Sequence, residues 1–359
     1  MLLQTDTMVS ARGTLHNKGA HFTINIIRYM DKEKRIQWID WAKVLGIMVV
    51  VFCHVPQYDT GLKCYLSQVQ MPLFFLLSGY LHKVQPSLRN ALHKYWWSLV
   101  VPYLLFQVIF YPYWLVKEVL MGDTPCQVWD ALLQPILGCL VGKVLDGPTW
   151  FLPALLVLKL LADALLSPHR PRYVLALVVS GFVLVSGYLW HDEVLNISFT
   201  WDSMTNYAPF FFAGCLLRRE KEATSVRRML PDASYVNCIA WFLLSLCLLL
   251  LPQVNYLVER IVFYAFGLTG TFFFLQLCKL LGRCPSWVVT LSKGTIVILG
   301  LHWMCIGTVN FLWERYLQLH GGILYTSPQA LVLVLLITLL CYLVILFCQK
   351  HFRLLLGGR

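Results

Sequence analysis

Three ionisable residues stand inside one apolar stretch, WIDWAKVLGIMVVVFCH: Asp40, Lys43 and His54. A helix turns about 100° per residue, so the step from Lys43 to His54 leaves a net rotation of only about 20°. Asp40 falls about 60° from Lys43 and about 40° from His54, so all three share one face. Lys43 and His54 are separated by roughly 16 Å along that face. A cation at one end and an imidazole at the other suit the wall of a polar channel. Near neutrality an imidazole takes and returns a proton, which is the work of a general base acting on a hydroxyl. Plainer roles also fit: an i,i+3 pair between Asp40 and Lys43, and a cap on the helix end by His54.

Two further stretches carry polar groups among apolar ones. In QMPLFFLLSGY, residues 70–80, Pro72 is expected to kink the helix and Ser78-Gly79 to let another backbone approach. In SKGTIVILGLH, residues 292–302, Thr295 and His302 lie close to one face, and Lys293 is expected to snorkel from the inner end.

The elements that position these groups are set by composition. Of 359 residues, 58% are apolar and 13% are charged, against about 25% charged in a soluble domain. The mean hydropathy is +0.65. A soluble enzyme, a disordered chain and a small disulfide scaffold are excluded, and an all-α polytopic membrane protein fits. The 12 cysteines are scattered without a CxxC pair and read as small hydrophobes.

Apolar stretches long enough to span a bilayer fall at roughly 36–55, 66–82, 95–116, 149–166, 173–190, 204–217, 236–252, 260–280, 288–312 and 329–349. The expectation is therefore about ten transmembrane helices. With the N-terminus inside, the outer connections hold Lys63, Lys117, Lys143, Arg260 and Arg315, while most other basic residues fall on inner connections and tails. This bias puts both termini in the cytoplasm. It also accounts for the net charge of +11 without a nucleic-acid partner. Residues 1–34 read as a polar tail with Met30 as an alternative start, 35–350 as the membrane domain, and 351–359 as a cytoplasmic tail. Residues 118–148 read as an outer segment. There Trp129, Asp130, Asp146 and Trp150 are candidates for an acceptor platform, with an interfacial aromatic belt as the alternative.

With these motifs in place, the chain resembles the integral-membrane acyltransferase family 3. Lys43 to His54 fits its signature of a basic residue, ten residues, then His. QMPLFFLLSGY, LVVPYLL, GPTWFLPALL, YAPFFFAGCLL and SKGTIVILGLH follow in family order over about residues 35–350. The resemblance implies transfer of an acyl group, often acetyl, from acyl-CoA to a hydroxyl of a carbohydrate or glycolipid. It places His54 at the catalytic centre and Lys43, Ser78 and Lys94 beside the donor. Asp40, Trp150, Tyr207 and His302 are the remaining candidates for the lining. It implies no metal and no resident cofactor, acyl-CoA being a co-substrate. A multi-pass protein of a bacterial cytoplasmic membrane is implied as well.

Two departures stand out. RNALHKYWW, with Arg89, His93 and Lys94, stands where many members carry an Arg-x-x-Arg pair. Lys43 replaces the commoner Arg, keeping charge but losing a bidentate fork. The chain also shows no Gly-Asp-Ser region after the spans, so transfer is expected to be direct or through a separate partner. A transporter or flippase of a polar lipid or sugar is the alternative reading of a polar face in such a bundle. The lack of an internal repeat counts against it.

Overall fold

A computed structural model describes residues 36–58, 60–116, 146–166, 172–192, 199–222, 234–251, 255–317 and 323–358. The expected tail 1–34, Trp129 and Asp130 lie outside the described residues. The helices in chain order are α1 (Gln37–His54), α2 (Gly61–Tyr80), α3 (Leu88–Tyr95), α4 (Val101–Trp114), α5 (Phe151–Leu165), α6 (Arg172–Asp192), α7 (Phe199–Glu222), α8 (Tyr235–Leu249), α9 (Tyr256–Leu280), α10 (Ser286–Lys293), α11 (Thr295–Leu317) and α12 (Ser327–His351). Among the described residues, five segments are long and apolar enough to cross a membrane: Gln37–His54, Gly147–Leu165, Tyr256–Leu280, Thr295–Arg315 and Ser327–His351. Val174–Ser186 and Tyr235–Leu249 are shorter apolar helices. On α12, Leu335, Leu336, Leu339 and Leu343 are more than half exposed. A row of bare leucines of this kind is stable against lipid and costly against water.

Local sequence explains where α1 stops. Pro56 disfavours helical geometry in the residue before it, and Val55 is extended at φ −69°, ψ 129°. His54 is therefore the last residue of its helix. Beyond it the chain pairs with the strand-like segment before α12: Tyr325 N donates to Pro56 O at 2.9 Å and Tyr58 N to Tyr325 O at 3.1 Å.

Several expected spans change shape. α2 continues through Pro72 and begins at Gly61. The third segment starts at Leu88 and contains a π-helical turn, Trp96–Val100, just before Pro102, which has no N–H for the ladder. The short sixth span, expected over 204–217, is part of the longer helix Phe199–Glu222. The ninth span, expected as one piece over 288–312, is two helices divided at Gly294. A Cβ on Gly294 would overlap the Ile345 side chain of α12, so the break comes with close packing of the two segments. Arg260, expected on an outer connection, lies within α9 and is buried, with its guanidinium donating to Asn206 Oδ1 at 2.6 Å.

Among the described residues, two buried apolar clusters form the core. One joins residues of α2, α5, α7 and α9; the other joins α4, α11 and α12. α1 is common to both, contributing Ile39 and Ala42 to the first and Val44, Ile47, Val50 and Val51 to the second. The helix carrying Lys43 and His54 thus packs into both clusters, as does α4, with Tyr103 in the first and Phe106 in the second. α2 and α7 touch at their glycines, since a Cβ on Gly79 would overlap Phe211 O and one on Gly214 would overlap Leu76 O.

Candidate active site

A cavity of about 190 Å³ runs beside α1. Lys43, Ile47, Val50 and His54 form one wall, and these positions fall on a single helical stripe. Ser78 comes from α2, Trp150 from the turn before α5, and Thr295 from the start of α11. Most of the remaining lining is apolar, including Phe74, Leu77, Phe151 and Leu299. A few polar groups in an apolar hollow hold few water molecules, and electrostatic interactions there are strong.

His54 is fixed by its own helix. Its Nδ1 lies 2.7 Å from Val50 O. Trp303 meets the ring edge-on at a centroid distance of 5.2 Å. His302 is fully buried and packs against the same imidazole at 5.0 Å.

Trp150 packs against a pair of aromatic rings that also stack on each other. Its ring stacks on Phe75 at 6.1 Å and on Tyr207 at 6.3 Å, while Phe75 and Tyr207 stack at 5.4 Å. The turn Gly147–Trp150 that carries it is clamped to α4. Gln107 Nε2 donates to Thr149 Oγ1 at 2.7 Å, and Thr149 Oγ1 donates to Asp146 O at 2.6 Å. Gln107 is a lone amide in the apolar run VPYLLFQVIFY, which is the sequence signal for this clamp. Asp146 is fully buried, and among the described residues neither carboxylate oxygen has a hydrogen-bond partner. Burial pushes its carboxyl well above the usual range. A fully buried Asp146 is not part of an exposed acceptor platform, and this corrects the expectation for that residue.

At the opposite end, Leu81 and Leu99 line the cavity. Here Asp163 of α5 gathers the connection between α2 and α3. It accepts from Tyr95 Oη at 2.6 Å and from Gln85 N at 2.9 Å, and His82 Nε2 lies 3.1 Å away. Lys94 Nζ and Lys159 Nζ stand 6.0 and 5.9 Å from the centroid of the same Tyr95 ring.

Of the sequence candidates, Lys43, His54, Ser78 and Trp150 line one cavity, whereas Asp40, Lys94, Tyr207 and His302 are not in its lining. Asp40 is turned to α10, where Ser292 Oγ donates to its Oδ1 at 2.5 Å. Tyr207 stands behind Trp150, and His302 behind His54. Sequence reasoning missed Trp303, Gln107 and the apolar lining residues, whose roles depend on neighbours far along the chain.

The acyltransferase 3 family model, described as an acyltransferase domain, matches residues 36–347. No curated protein and no solved structure shows significant similarity to the chain. The match spans the residues that line the cavity, and the chain belongs to the acyltransferase 3 family.

Proposed function

We propose that this protein is a membrane-embedded O-acyltransferase that moves an acyl group, acetyl in the simplest case, from cytosolic acyl-CoA to a hydroxyl of an envelope carbohydrate or lipid-linked sugar. The observation that carries this reading is that Lys43 and His54 open onto one cavity from two depths of a single helix. The proposed topology is ten spans with both termini cytoplasmic, in a bacterial cytoplasmic membrane. The Lys43 ammonium attracts the donor's phosphates at the inner side, with Ser78 and Lys94 as further donor contacts. The thioester then reaches His54 along the apolar wall.

A carbonyl oxygen can only accept, so the 2.7 Å contact to Val50 O puts a proton on His54 Nδ1. In a neutral ring Nε2 is then a bare lone pair, which removes the proton from the acceptor hydroxyl. The resulting oxygen nucleophile attacks the thioester carbonyl, and the C–S bond breaks. The proton on Nε2 passes to the departing thiolate, leaving an ester, CoA thiol and neutral His54. Trp150 faces the same space and offers a flat surface for a sugar ring.

The test is transfer of radiolabelled acetyl from acetyl-CoA to a crude envelope fraction by protein in nanodiscs. Label is expected in carbohydrate with wild type and to be lost with His54→Ala. Movement of a polar lipid that needs no acyl-CoA and survives His54→Ala would favour a flippase instead.

A further inference from the structure

His302 has no place in the cavity lining, is fully buried, and sits against the ring that the proposed reaction needs. Its own contacts define its protonation pattern. His302 Nδ1 lies 2.8 Å from Ile298 O, and that carbonyl can only accept, so this nitrogen carries the proton. Neutral His302 therefore has its lone pair on Nε2. That atom lies 3.4 Å from His54 Nδ1, which carries a proton for the same reason. The two rings thus form a directed chain: His54 Nδ1–H is shared between Val50 O and His302 Nε2, and His302 Nδ1–H is anchored on Ile298 O.

We infer that His302 is a positioning residue for His54. It holds the catalytic ring in the Nδ1–H tautomer and accepts from it more strongly once His54 Nε2 has taken the hydroxyl proton. The inference rests on the acyltransferase reading and adds a group that touches neither donor nor acceptor. An orienting partner on the far nitrogen is the general device by which an imidazole is kept in the tautomer that presents a basic nitrogen. Here the partner is a second imidazole in place of a carboxylate. This keeps an additional negative charge out of an apolar region, where it would be costly. Both anchors are carbonyls on the preceding turn of the same helix, Val50 for His54 and Ile298 for His302, so neither ring depends on a loop for its orientation.

The geometry makes the choice of variants specific. The side-chain amide of Gln places an acceptor close to where Nε2 of His stands, whereas that of Asn reaches only the Nδ1 position. His302→Leu and His302→Asn are expected to lower kcat about tenfold to a hundredfold, the size typical of outer groups that orient a reacting imidazole, with the acyl-CoA KM within about twofold. His302→Gln is expected to recover most of the rate. Thermal unfolding in detergent separates these effects from loss of fold. Nitrogen NMR of histidine-labelled wild type requires no variant: His54 is expected as the Nδ1–H tautomer, the one less populated by free imidazole. His54 found as Nε2–H, or folded His302→Leu with wild-type kcat, would overturn the inference while leaving an active wild type and inactive His54→Ala intact. A wild type that releases no CoA from any donor would instead overturn the acyltransferase reading itself.

Discussion

Ser292 Oγ lies 2.5 Å from Asp40 Oδ1, and both side chains are buried. This bond fastens α10 to the first turn of the helix that carries Lys43. A buried carboxylate that loses a donor is left undersolvated, at a cost of about 1–3 kcal/mol. Ser292→Ala is therefore expected to lower the thermal midpoint in detergent, and Ser292→Thr, which keeps the hydroxyl, to lower it less. Equal midpoints for wild type and Ser292→Ala would show that the bond contributes little.

The contact between α2 and α7 leaves no room for a methyl group. Gly79→Ala sets its Cβ against Phe211 O, and Gly214→Ala against Leu76 O. Neither obstacle is a side chain that can swing aside, so the helices must separate. Each variant is expected to lose about 1–3 kcal/mol or more. The double variant is expected to cost less than the sum, because one separation relieves both overlaps. Unfolding monitored by size-exclusion fluorescence would read this.

Asp146 gives a pH dependence. Its folded-state pKa is raised by burial, so its contribution is fully present below the ordinary carboxylate range. Stability is lost as pH rises from that range through the folded value, because the unfolded chain releases its proton first. Asp146→Asn keeps the shape and removes the ionisation. It is expected to raise the thermal midpoint near neutral pH and to flatten its slope as pH rises above the ordinary carboxylate range. A variant with the same slope as wild type would contradict this.

Lys43 is proposed to act on the donor and not on the chemical step. Lys43→Met is expected to raise the acyl-CoA KM about tenfold or more, as for loss of a contact to a charged group, with little change in kcat. Lys43→Arg is expected to restore binding, since it keeps the charge. Rising salt should weaken donor binding in wild type more than in Lys43→Met. A Lys43→Met variant with unchanged KM would remove Lys43 from the donor site.

The sequence shows some of these relationships and hides others. Lys43 and His54 can be placed on one wall by helix arithmetic, because a helix fixes the angle between two of its own residues. The end of α1 at His54 is legible too, since Pro56 acts on its immediate neighbour. The break at Gly294 is not, because a glycine in an apolar helix is ordinary until Ile345 is known to face it. The same holds for His302, whose apposition to His54 depends on how two distant helices are turned. Asp40 illustrates the converse. Its angle on the helix suggests the cavity face, yet its side chain is taken by Ser292 of α10. The polar residues of α1 were visible one at a time, and their division of labour came from the helices packed around them.

The most direct test is CoA release from acetyl-CoA by purified wild type and His54→Ala in the presence of an envelope acceptor. Wild type should release CoA in step with labelling of the acceptor. His54→Ala should be slower by about a hundredfold to ten-thousandfold, the range for loss of a general base, with a wild-type thermal midpoint. A folded His54→Ala that releases CoA and labels acceptor at the wild-type rate would contradict His54 as the catalytic base.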